Sequence, residues 1–258
     1  MRTVNVDFIT PRHLAGAGDP AWITVPLHRA CGWSHGDDPL MPRVLLSSPD
    51  QKALLRLEPI PGAQWWNLLH SAEADRPAWS MSFGARTPVE LIAAVTDALT
   101  DPAPATSAPS DPYEPLRQVS WKPYARTPGL DSPDGATYVQ RSGSVQEPGS
   151  WWVMATLGRD RPESPVWHAR FDEHTPVHLV AAFTAALADP RPVPRTDSLR
   201  CLPTLDPDII TRRPTDVPVA SIASALEERV QSLTARRPTP SAGPNPPLLS
   251  QPMNRRSR

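Results

Sequence analysis

Cysteine is nearly absent from this sequence. Cys31 and Cys201 are its 2 cysteines, and they lie far apart in the 258-residue chain. Such a pair cannot form the disulfide framework of a small secreted protein, which favours a reducing, cytoplasmic location. A structural zinc site needs four closely spaced ligands, whereas the group His28, Cys31 and His35 supplies only three. The sequence therefore predicts no metal site.

Long apolar runs are also missing. The most apolar helical stretch, from Leu179 to Ala188, covers about half of a bilayer span. The first ten residues, MRTVNVDFIT, lack the apolar core and the small-residue cleavage site of a signal peptide. We expect no membrane association.

The common catalytic motifs do not occur. The sequence has no G-x-S-x-G elbow, no Walker A loop and no G-x-G-x-x-G. The acidic pair Asp37-Asp38 lies in a stretch rich in glycine and proline, which is typical of a solvated turn. We predict no catalytic residue and no cofactor. An enzyme assembled from residues distant in sequence remains an alternative.

Lysine is scarce, with 2 lysines against 24 arginines, so arginine is not special evidence for phosphate binding here. Residues 1–190 carry 15 basic and 21 acidic residues, a net charge of −6, and residues 191–258 carry 11 and 6, a net charge of +5. A nucleic-acid backbone is attracted chiefly by positive charge. Nucleic-acid binding is therefore unlikely for the folded part, and only the tail could attract a phosphate backbone.

What the sequence does contain is an internal repeat. Residues 77–102 align without a gap on residues 165–190, at an offset of 88. Upstream, Trp65-Trp66 matches Trp151-Trp152 at an offset of 86, and residues 48–50 match 132–134 at 84. The landmarks keep their order, and the spacing changes only between predicted strands, where loops tolerate insertion. The sequence therefore indicates a tandem duplication.

Each repeat predicts the same elements. Ser-Pro-Asp at 48–50 and 132–134 is typical of a turn, although Asp50 and Asp134 could instead belong to a site. Alternating apolar residues then predict strands, and Thr-Pro-x-Glu at 87–90 predicts a capped helix start. The fold class that follows is α+β: a tandem repeat of an antiparallel β-meander and one α-helix, with the helices packing on a sheet face.

The predicted domain organisation follows from these elements. Residues 1–102 form the first repeat with an N-terminal extension, 103–112 a linker, and 113–190 the second repeat. Residues 191–258 are rich in proline, serine and arginine, which predicts a mostly disordered tail. Within it, residues 218–236 could form a helix, which either binds a partner or folds back onto the sheet. Its apolar face would consist of Ile222, Leu226, Val230 and Leu233.

Several landmarks together resemble the SPDY-motif domain of Streptomyces, a family of unknown function that often occurs in two copies. They are PRHLAGAGDP near the start, the Ser-Pro-Asp turns, the tryptophan pairs, and P-x-W…F…T-P-x-x-L with Ala-Ala and a closing Asp-Pro. The resemblance covers residues 11–190, although Gln51 and Gly135 stand at the motif's tyrosine position. It implies an actinobacterial origin and a shared fold, and it carries no activity, cofactor or catalytic residue.

The tryptophan pairs suggest where binding would occur. Adjacent strand residues point to opposite faces, so one tryptophan of each pair faces away from the helix. That side chain either packs against another repeat or protomer, or contacts a partner. We therefore take as candidate binding residues both pairs and the helix face, namely Trp65, Trp66, Trp151, Trp152, Ile222, Leu226, Val230 and Leu233.

These features favour a non-enzymatic interaction module, with a protein partner ahead of a small ligand. One alternative is an enzyme or nucleotide-binding protein with a cleft between the repeats, where His28, His35 or Asp50 would converge. A third is DNA binding through the sheet or the basic tail. The sequence identifies neither the partner nor the oligomeric state.

Overall fold

The computed structural model describes residues 2–36, 43–60, 64–102, 111–123, 128–143, 149–157 and 165–236. Its strands are β1 (Thr3–Thr10), β2 (Ser34–Gly36), β3 (Val44–Ser47), β4 (Ala53–Leu57), β5 (Gln64–His70), β6 (Trp79–Gly84), β7 (Lys122–Pro123), β8 (Gly129–Asp131), β9 (Thr137–Arg141), β10 (Trp151–Ala155), β11 (Trp167–Phe171), β12 (Val193–Arg195) and β13 (Thr211–Pro218). Its helices are α1 (Ala21–Arg29), α2 (Val89–Thr100), α3 (Glu114–Gln118), α4 (Val177–Ala188), α5 (Ser198–Cys201) and α6 (Val219–Arg236).

Both repeats contribute to one antiparallel sheet. Its strand order is β2-β3-β4-β5-β6-β11-β10-β9-β8-β7, so each repeat is a five-stranded meander and the two last strands meet in the middle. The expected α+β class with antiparallel meanders is confirmed. The sequence did not reveal that the two meanders share a sheet.

The seam between the repeats has a two-fold register. On the repeat alignment Ser82 corresponds to Arg170, and these two residues face each other across β6 and β11. Phe83 pairs with Ala169, and its repeat equivalent Phe171 pairs with Met81, the equivalent of Ala169. The two pairings are therefore related by a two-fold rotation. A pseudo-two-fold axis therefore passes through the pair Ser82 and Arg170.

The helices cover one face of this sheet, the inner face. Helices α2 and α4 are equivalent in the two repeats and pack against each other. The rings of Phe83 and Phe183 stack with centroids 5.8 Å apart, and Phe171 meets Phe183 edge-on at 5.2 Å. One hydrophobic cluster contains residues from both halves of the sheet and from both helices, so the duplicated part has a single core.

Helices α2 and α4 lie where the repeat pattern predicts them, but their starts are stabilised differently. The expected capping box would have used Glu90 at the third helical position. Instead, Arg195 binds both carboxylate oxygens of Glu90, with its Nη1 at 2.7 Å and its Nη2 at 2.8 Å. The first helix is thus anchored by a residue 105 positions downstream.

The region expected to be a disordered tail from residue 191 differs from that expectation. Strand β1 pairs with β12 on one side and with β13 on the other, forming a second, three-stranded sheet. The N-terminal extension and residues 193–218 therefore fold together. The long-range partner β1 supplies the backbone hydrogen bonds that a polar, proline-rich segment could not satisfy locally. Residues 237–258 lie outside the described residues, as do residues 103–110 of the expected linker.

Proline is tolerated in β13 because of the register. Val4 pairs with Val217 and Val6 with Thr215, whereas Pro214 and Pro218 occupy the alternate positions. Val219 N–H donates to the carbonyl of Arg2, so residues of odd number on this segment point their N–H groups at β1. The ring nitrogens of both prolines therefore face the free edge, where no ladder bond is lost.

Helix α6 coincides with the expected helix at 218–236 and folds back onto the body. Val230 and Leu233 are buried in the main core, while Ile222 is 40% exposed and Leu226 is half-buried. Arg229 binds the carboxylate of Asp97 on α2 at 2.7 and 2.9 Å, and its Nε donates to the carbonyl of Trp22 at 2.9 Å. Within the described part of the chain, no helix is long and apolar enough to cross a membrane.

Candidate binding surface

The face of the ten-stranded sheet that is turned away from the helices, here called the open face, carries the polar side chains of the strands. Strand pairing aligns one residue from each of the strands β3 to β6 and β8 to β11 in a continuous row across the sheet. In spatial order the row is Leu45, Arg56, Asn67, Ser82, Arg170, Trp152, Gln140 and Gly129. Its side chains are half-buried or exposed, in contrast to the buried residues on the inner face.

The structure divides the four candidate tryptophans between core and surface. Trp66 and Trp151 lie in the core, with 2% and 6% of their surface exposed, and so they are not available to a partner in this fold. Trp65 and Trp152 are half-buried. Trp66 pairs with Phe83, and Trp151 pairs with Phe171, the repeat equivalent of Phe83. Trp66 therefore corresponds to Trp151, not to Trp152.

The displacement agrees with the alternation along each strand, since Leu68 is buried with Trp66 in the first repeat and Val153 with Trp151 in the second. A β-bulge precedes Trp66 in the first repeat. The pairing of β5 with β6 shifts between Gln64 and Trp66, so that Trp65 is an extra residue on its strand. The indole Nε1 of Trp65 donates to the carbonyl of Ile60 at 3.1 Å, and its ring packs partly against the core. Of the four candidates, Trp152 alone is left on the row described above.

Trp152 carries an arginine on its ring. The guanidinium carbon of Arg170 lies 5.0 Å from the centroid of the Trp152 ring, within the range of a cation–π interaction. Arg170 is exposed, and it stands on the pseudo-two-fold axis opposite Ser82. Next to this pair, the hydroxyl of Tyr138 contacts the sulfur of Met154 at 3.4 Å. Aromatic rings, arginine and methionine are the side chains enriched at protein interfaces.

The carboxylates near the row are held by partners within the protein. Asp172 Oδ1 accepts from the backbone N–H of His174 and from the hydroxyl of Thr175, both at 3.1 Å. Its Oδ2 accepts from the N–H and the hydroxyl of Ser80. Glu58 forms ion pairs with Arg43 at 3.1 Å and with Arg56 at 3.3 Å. Among the described residues, no ion pair includes Arg170.

The seam carries a histidine as well. The side-chain amide of Gln64 hydrogen bonds Nε2 of His168 across the two repeats. Burial lowers the pKa of His168 below its usual value, because a charged imidazole would lose hydration there. His168 therefore acts as a neutral acceptor for the amide at neutral pH.

The two Ser-Pro-Asp turns are built alike. In the first, the hydroxyl of Ser48 donates to Asp50 at 2.6 Å and accepts the N–H of Ala53 at 2.9 Å. In the second, Ser132 makes the same bonds to Asp134 and to the N–H of Thr137. These hydrogen bonds explain why a serine and an aspartate occupy these positions, because both side chains stabilise the turn.

Residues 47–105 and 131–193 match a family model described as SPDY, Domain of unknown function (DUF317). The chain contains two tandem SPDY domains. No curated protein and no solved structure matches the chain.

The two SPDY domains share their turn but use its aspartate differently. Asp134 Oδ2 accepts from Nε2 of His13 at 2.8 Å, and this contact, with the hydrogen bond to Ser132, holds the pKa of Asp134 below its usual value despite burial. The carbonyl of His13 in turn accepts the indole N–H of Trp167 at 2.7 Å. The N-terminal segment is thus attached to the second SPDY domain.

Outside the SPDY domains lie the three residues that the sequence offered as possible metal ligands. His28 Nδ1 bonds the carbonyl of Trp33 at 2.8 Å, Cys31 is buried, and His35 lies in the edge strand β2. The described residues contain no cluster of three or more potential metal ligands. Two depressions are open to the surface. One, of about 310 Å³, adjoins the stacked rings of His70 and Trp79, and the other, of about 370 Å³, adjoins the side of α6 near Trp22.

Sequence reasoning missed Arg170. Its alternation with Trp167 and Phe171 placed it on the polar side of a strand, but its contact with Trp152 depends on which tryptophan of the pair faces outward. Matching the two pairs at an offset of 86 hid that assignment, since Trp66 is equivalent in the sheet to Trp151 and not to Trp152. The only available signal was that Arg170 replaces Ser82 between the repeats.

Proposed function

We propose that this protein is a non-enzymatic interaction module whose contact surface is the open face around Trp152 and Arg170, and whose partner is a protein. The observation that carries the proposal is the exposed Arg170 stacked on Trp152 at the centre of a broad, polar sheet face. Tryptophan and arginine are the residues on which binding energy most often concentrates at protein interfaces.

The dimensions of the surface favour a protein over a small ligand. Neighbouring strands lie about 4.8 Å apart, so the eight-strand row from Leu45 to Gly129 extends over about 34 Å. A standard protein interface covers a surface of about this width. The two depressions, in contrast, are open to solvent and lie near the lower limit of about 300 Å³ for ligand pockets.

The alternative of an enzyme or nucleotide-binding protein required a cleft between the repeats. In the described residues the repeats meet strand to strand at β6 and β11, and helix to helix at α2 and α4. His28 and Asp50 are each occupied by local hydrogen bonds, to Trp33 and Ser48 respectively. These contacts favour the interaction module over this alternative.

DNA binding is less well supported. The net charge of −6 on residues 1–190 disfavours a phosphate backbone, which is bound mainly by positive charge. If DNA is nevertheless the ligand, a gel shift at low salt will show a complex whose affinity falls steeply as salt rises. The absence of such a complex at low salt would exclude DNA binding.

A cytoplasmic location is part of the proposal. Both cysteines are free: Cys31 is buried, and burial raises the pKa of Cys201. A raised pKa keeps the Cys201 thiol mainly protonated at neutral pH, so it is a poor nucleophile. Two free cysteines fit a protein that is kept reduced.

The test is capture of partners by the full-length chain in its native host. Proteins crosslinked in the cell to the tagged chain are compared with those crosslinked to the double variant Trp152→Ala, Arg170→Ala and to the control Val177→Ala. Val177 is 46% exposed at the start of α4, away from the open face. We expect the double variant to lose the protein partners and the control to keep them. Equal recovery with both variants would refute the open face as the contact surface.

A further inference from the structure

We propose that the partner of the open face is an acidic polypeptide segment, and that Arg170 binds one of its carboxylates. This inference rests on the proposed function, since it names the chemistry of the partner that the open face receives.

Arg170 is already arranged for such a contact. Its guanidinium lies over the Trp152 ring, and stacking on a ring leaves the N–H groups at the guanidinium edge available to a ligand. Stacking also restricts the side chain before binding, so less conformational entropy is lost when a carboxylate is bound. A guanidinium presents two parallel N–H groups that match the two oxygens of a carboxylate.

The charges around Arg170 favour a negatively charged partner. On the open face, the carboxylate of Asp172 is engaged by Ser80 and Thr175. That of Glu58, three strands away, is engaged by Arg43 and Arg56. Within the described part of the open face, Arg170 is therefore an exposed cation whose charge is not compensated by an ion pair. A partner carboxylate would supply the missing counter-charge.

The row also offers amides beside the cation. Gln140 lies on the strand next to Trp152, and Asn67 lies next to Ser82 on the other side of the axis. Amide groups donate hydrogen bonds to carboxylate or peptide oxygens and accept from peptide N–H groups. An acidic segment running across the strands would meet the cation and both amides in turn.

A phosphate group is also attracted by arginine, but a nucleic acid fits these observations less well. Its backbone presents a dense series of charges, and residues 1–190 have a net charge of −6. A peptide with a few carboxylates and some apolar side chains is repelled less and can use the Trp152 ring and Leu69, which is 39% exposed.

The experiment is selection of random twelve-residue peptides, displayed on phage, against the full-length chain. Selected peptides are then synthesised and their affinities measured by fluorescence anisotropy for the parent chain, Arg170→Glu, Arg170→Lys and Val177→Ala. We expect enrichment of aspartate and glutamate over the starting library. We also expect affinity to fall at least about tenfold with Arg170→Glu, and less with Arg170→Lys, which keeps the charge but loses the fork. Val177→Ala should leave affinity unchanged.

The outcomes separate the two proposals. Selected peptides without an acidic excess, or peptides that bind Arg170→Glu as tightly as the parent chain, overturn the acidic partner. If such peptides still lose affinity with Trp152→Ala, the open face remains a binding surface for a different class of segment. Peptides insensitive to both substitutions, or no peptide enriched at all, would count against both proposals. Binding of a single-stranded oligonucleotide that depends on Arg170 would replace the acidic peptide by a nucleic acid.

Discussion

The tryptophan pairs show how a one-residue difference in strand register changes what a side chain can do. Both pairs have the same sequence, yet the first leaves its second member, Trp66, in the core and the second leaves its first member, Trp151, there. In the first pair Trp66 is buried together with Leu68, and in the second Trp151 is buried together with Val153, so the two pairs differ by one residue in their register with the neighbouring strand. Stability and binding should therefore be affected by different members of the two pairs.

We expect Trp66→Ala and Trp152→Ala to differ in their effect on stability. Trp66 is 2% exposed, so its truncation leaves a cavity and should lower the free energy of unfolding by about 3–5 kcal/mol. Trp152 is half-buried on the open face, and its truncation should cost less than half as much. Urea unfolding curves measure both. Equal losses would contradict the assignment of the two rings to opposite faces.

The serine of each Ser-Pro-Asp turn should be important for stability. Ser132→Ala leaves the buried N–H of Thr137 without its acceptor, and an unsatisfied buried group costs about 1–3 kcal/mol. Ser48→Ala should have a similar cost through Ala53. Chemical denaturation of both variants, with the exposed Ser224→Ala as the control, checks this. Losses as small as that of the control would show that the turn does not need the hydroxyl.

The pH dependence of stability should come partly from two histidines. Burial lowers the pKa of His168 and of His178, and the nearby Arg76 adds to the effect at His178. Below pH 6.5 the unfolded chain binds protons that the folded protein does not, so their contribution is complete above pH 6.5 and is lost as pH falls through the folded pKa.

This dependence can be isolated with the double variant His168→Gln, His178→Gln. We expect the parent chain to lose more stability between pH 7 and pH 5.5 than the double variant does, as measured by urea unfolding at each pH. The carboxylates with lowered pKa, such as Asp50 and Asp189, lose their contribution only at more acidic pH. An identical pH profile for both proteins would mean that the two imidazoles are as hydrated as in the unfolded chain.

Among the elements, those formed by local pattern could be predicted and those formed by distant pairing could not. The periodicity of residues 89–100 and 177–188 gave α2 and α4, and α6 followed from apolar spacings of four, four and three residues. Strands β12 and β13 have no such pattern, because mostly exposed residues and prolines make up β13. They are ordered by pairing with β1, which is more than 180 residues away from β12 and more than 200 from β13, and no local window detects such a pairing.

Helix α6 should show a gradient of importance along its apolar stripe. Leu233 is 5% exposed in the core, so Leu233→Ala should lower the free energy of unfolding by about 2–4 kcal/mol. Ile222 belongs to the same stripe but is 40% exposed, so Ile222→Ala should cost less than about 1 kcal/mol. Unfolding curves of this matched pair test whether the second half of α6 is docked in solution. Equal, small effects would indicate an undocked helix.

At the scale of the whole molecule, the two SPDY domains should unfold together. Phe183 from the second domain contacts Phe83 from the first and Phe171 from its own, so one core serves both. We expect a single transition, with far-ultraviolet circular dichroism and tryptophan fluorescence giving the same midpoint. Phe183→Leu should shift both signals by the same amount. Two separate transitions would show that the domains are thermodynamically independent.

The sequence identified the tryptophan pairs as part of the candidate surface, but not the member of each pair that is exposed. It predicted that one tryptophan of each pair faces outward, since strand side chains alternate. It could not tell which member of a pair faces outward, because apolar residues occur at both alternating positions after each pair. Arg170 gained its role only through its neighbour on β10, a contact set by strand register rather than by sequence distance.

The two-fold register of β6 and β11 has a consequence for symmetry. A single copy of this unit would expose the edge of its last strand, and the same edge on a second molecule could pair with it through the register that Ser82 and Arg170 now occupy. The strand pairing of the present chain is therefore the pairing that a symmetric dimer would have, formed within one polypeptide. In a dimer of identical chains the two residues on the axis would have to be the same, whereas two halves of one chain can differ there, and Ser82 of one half faces Arg170 of the other.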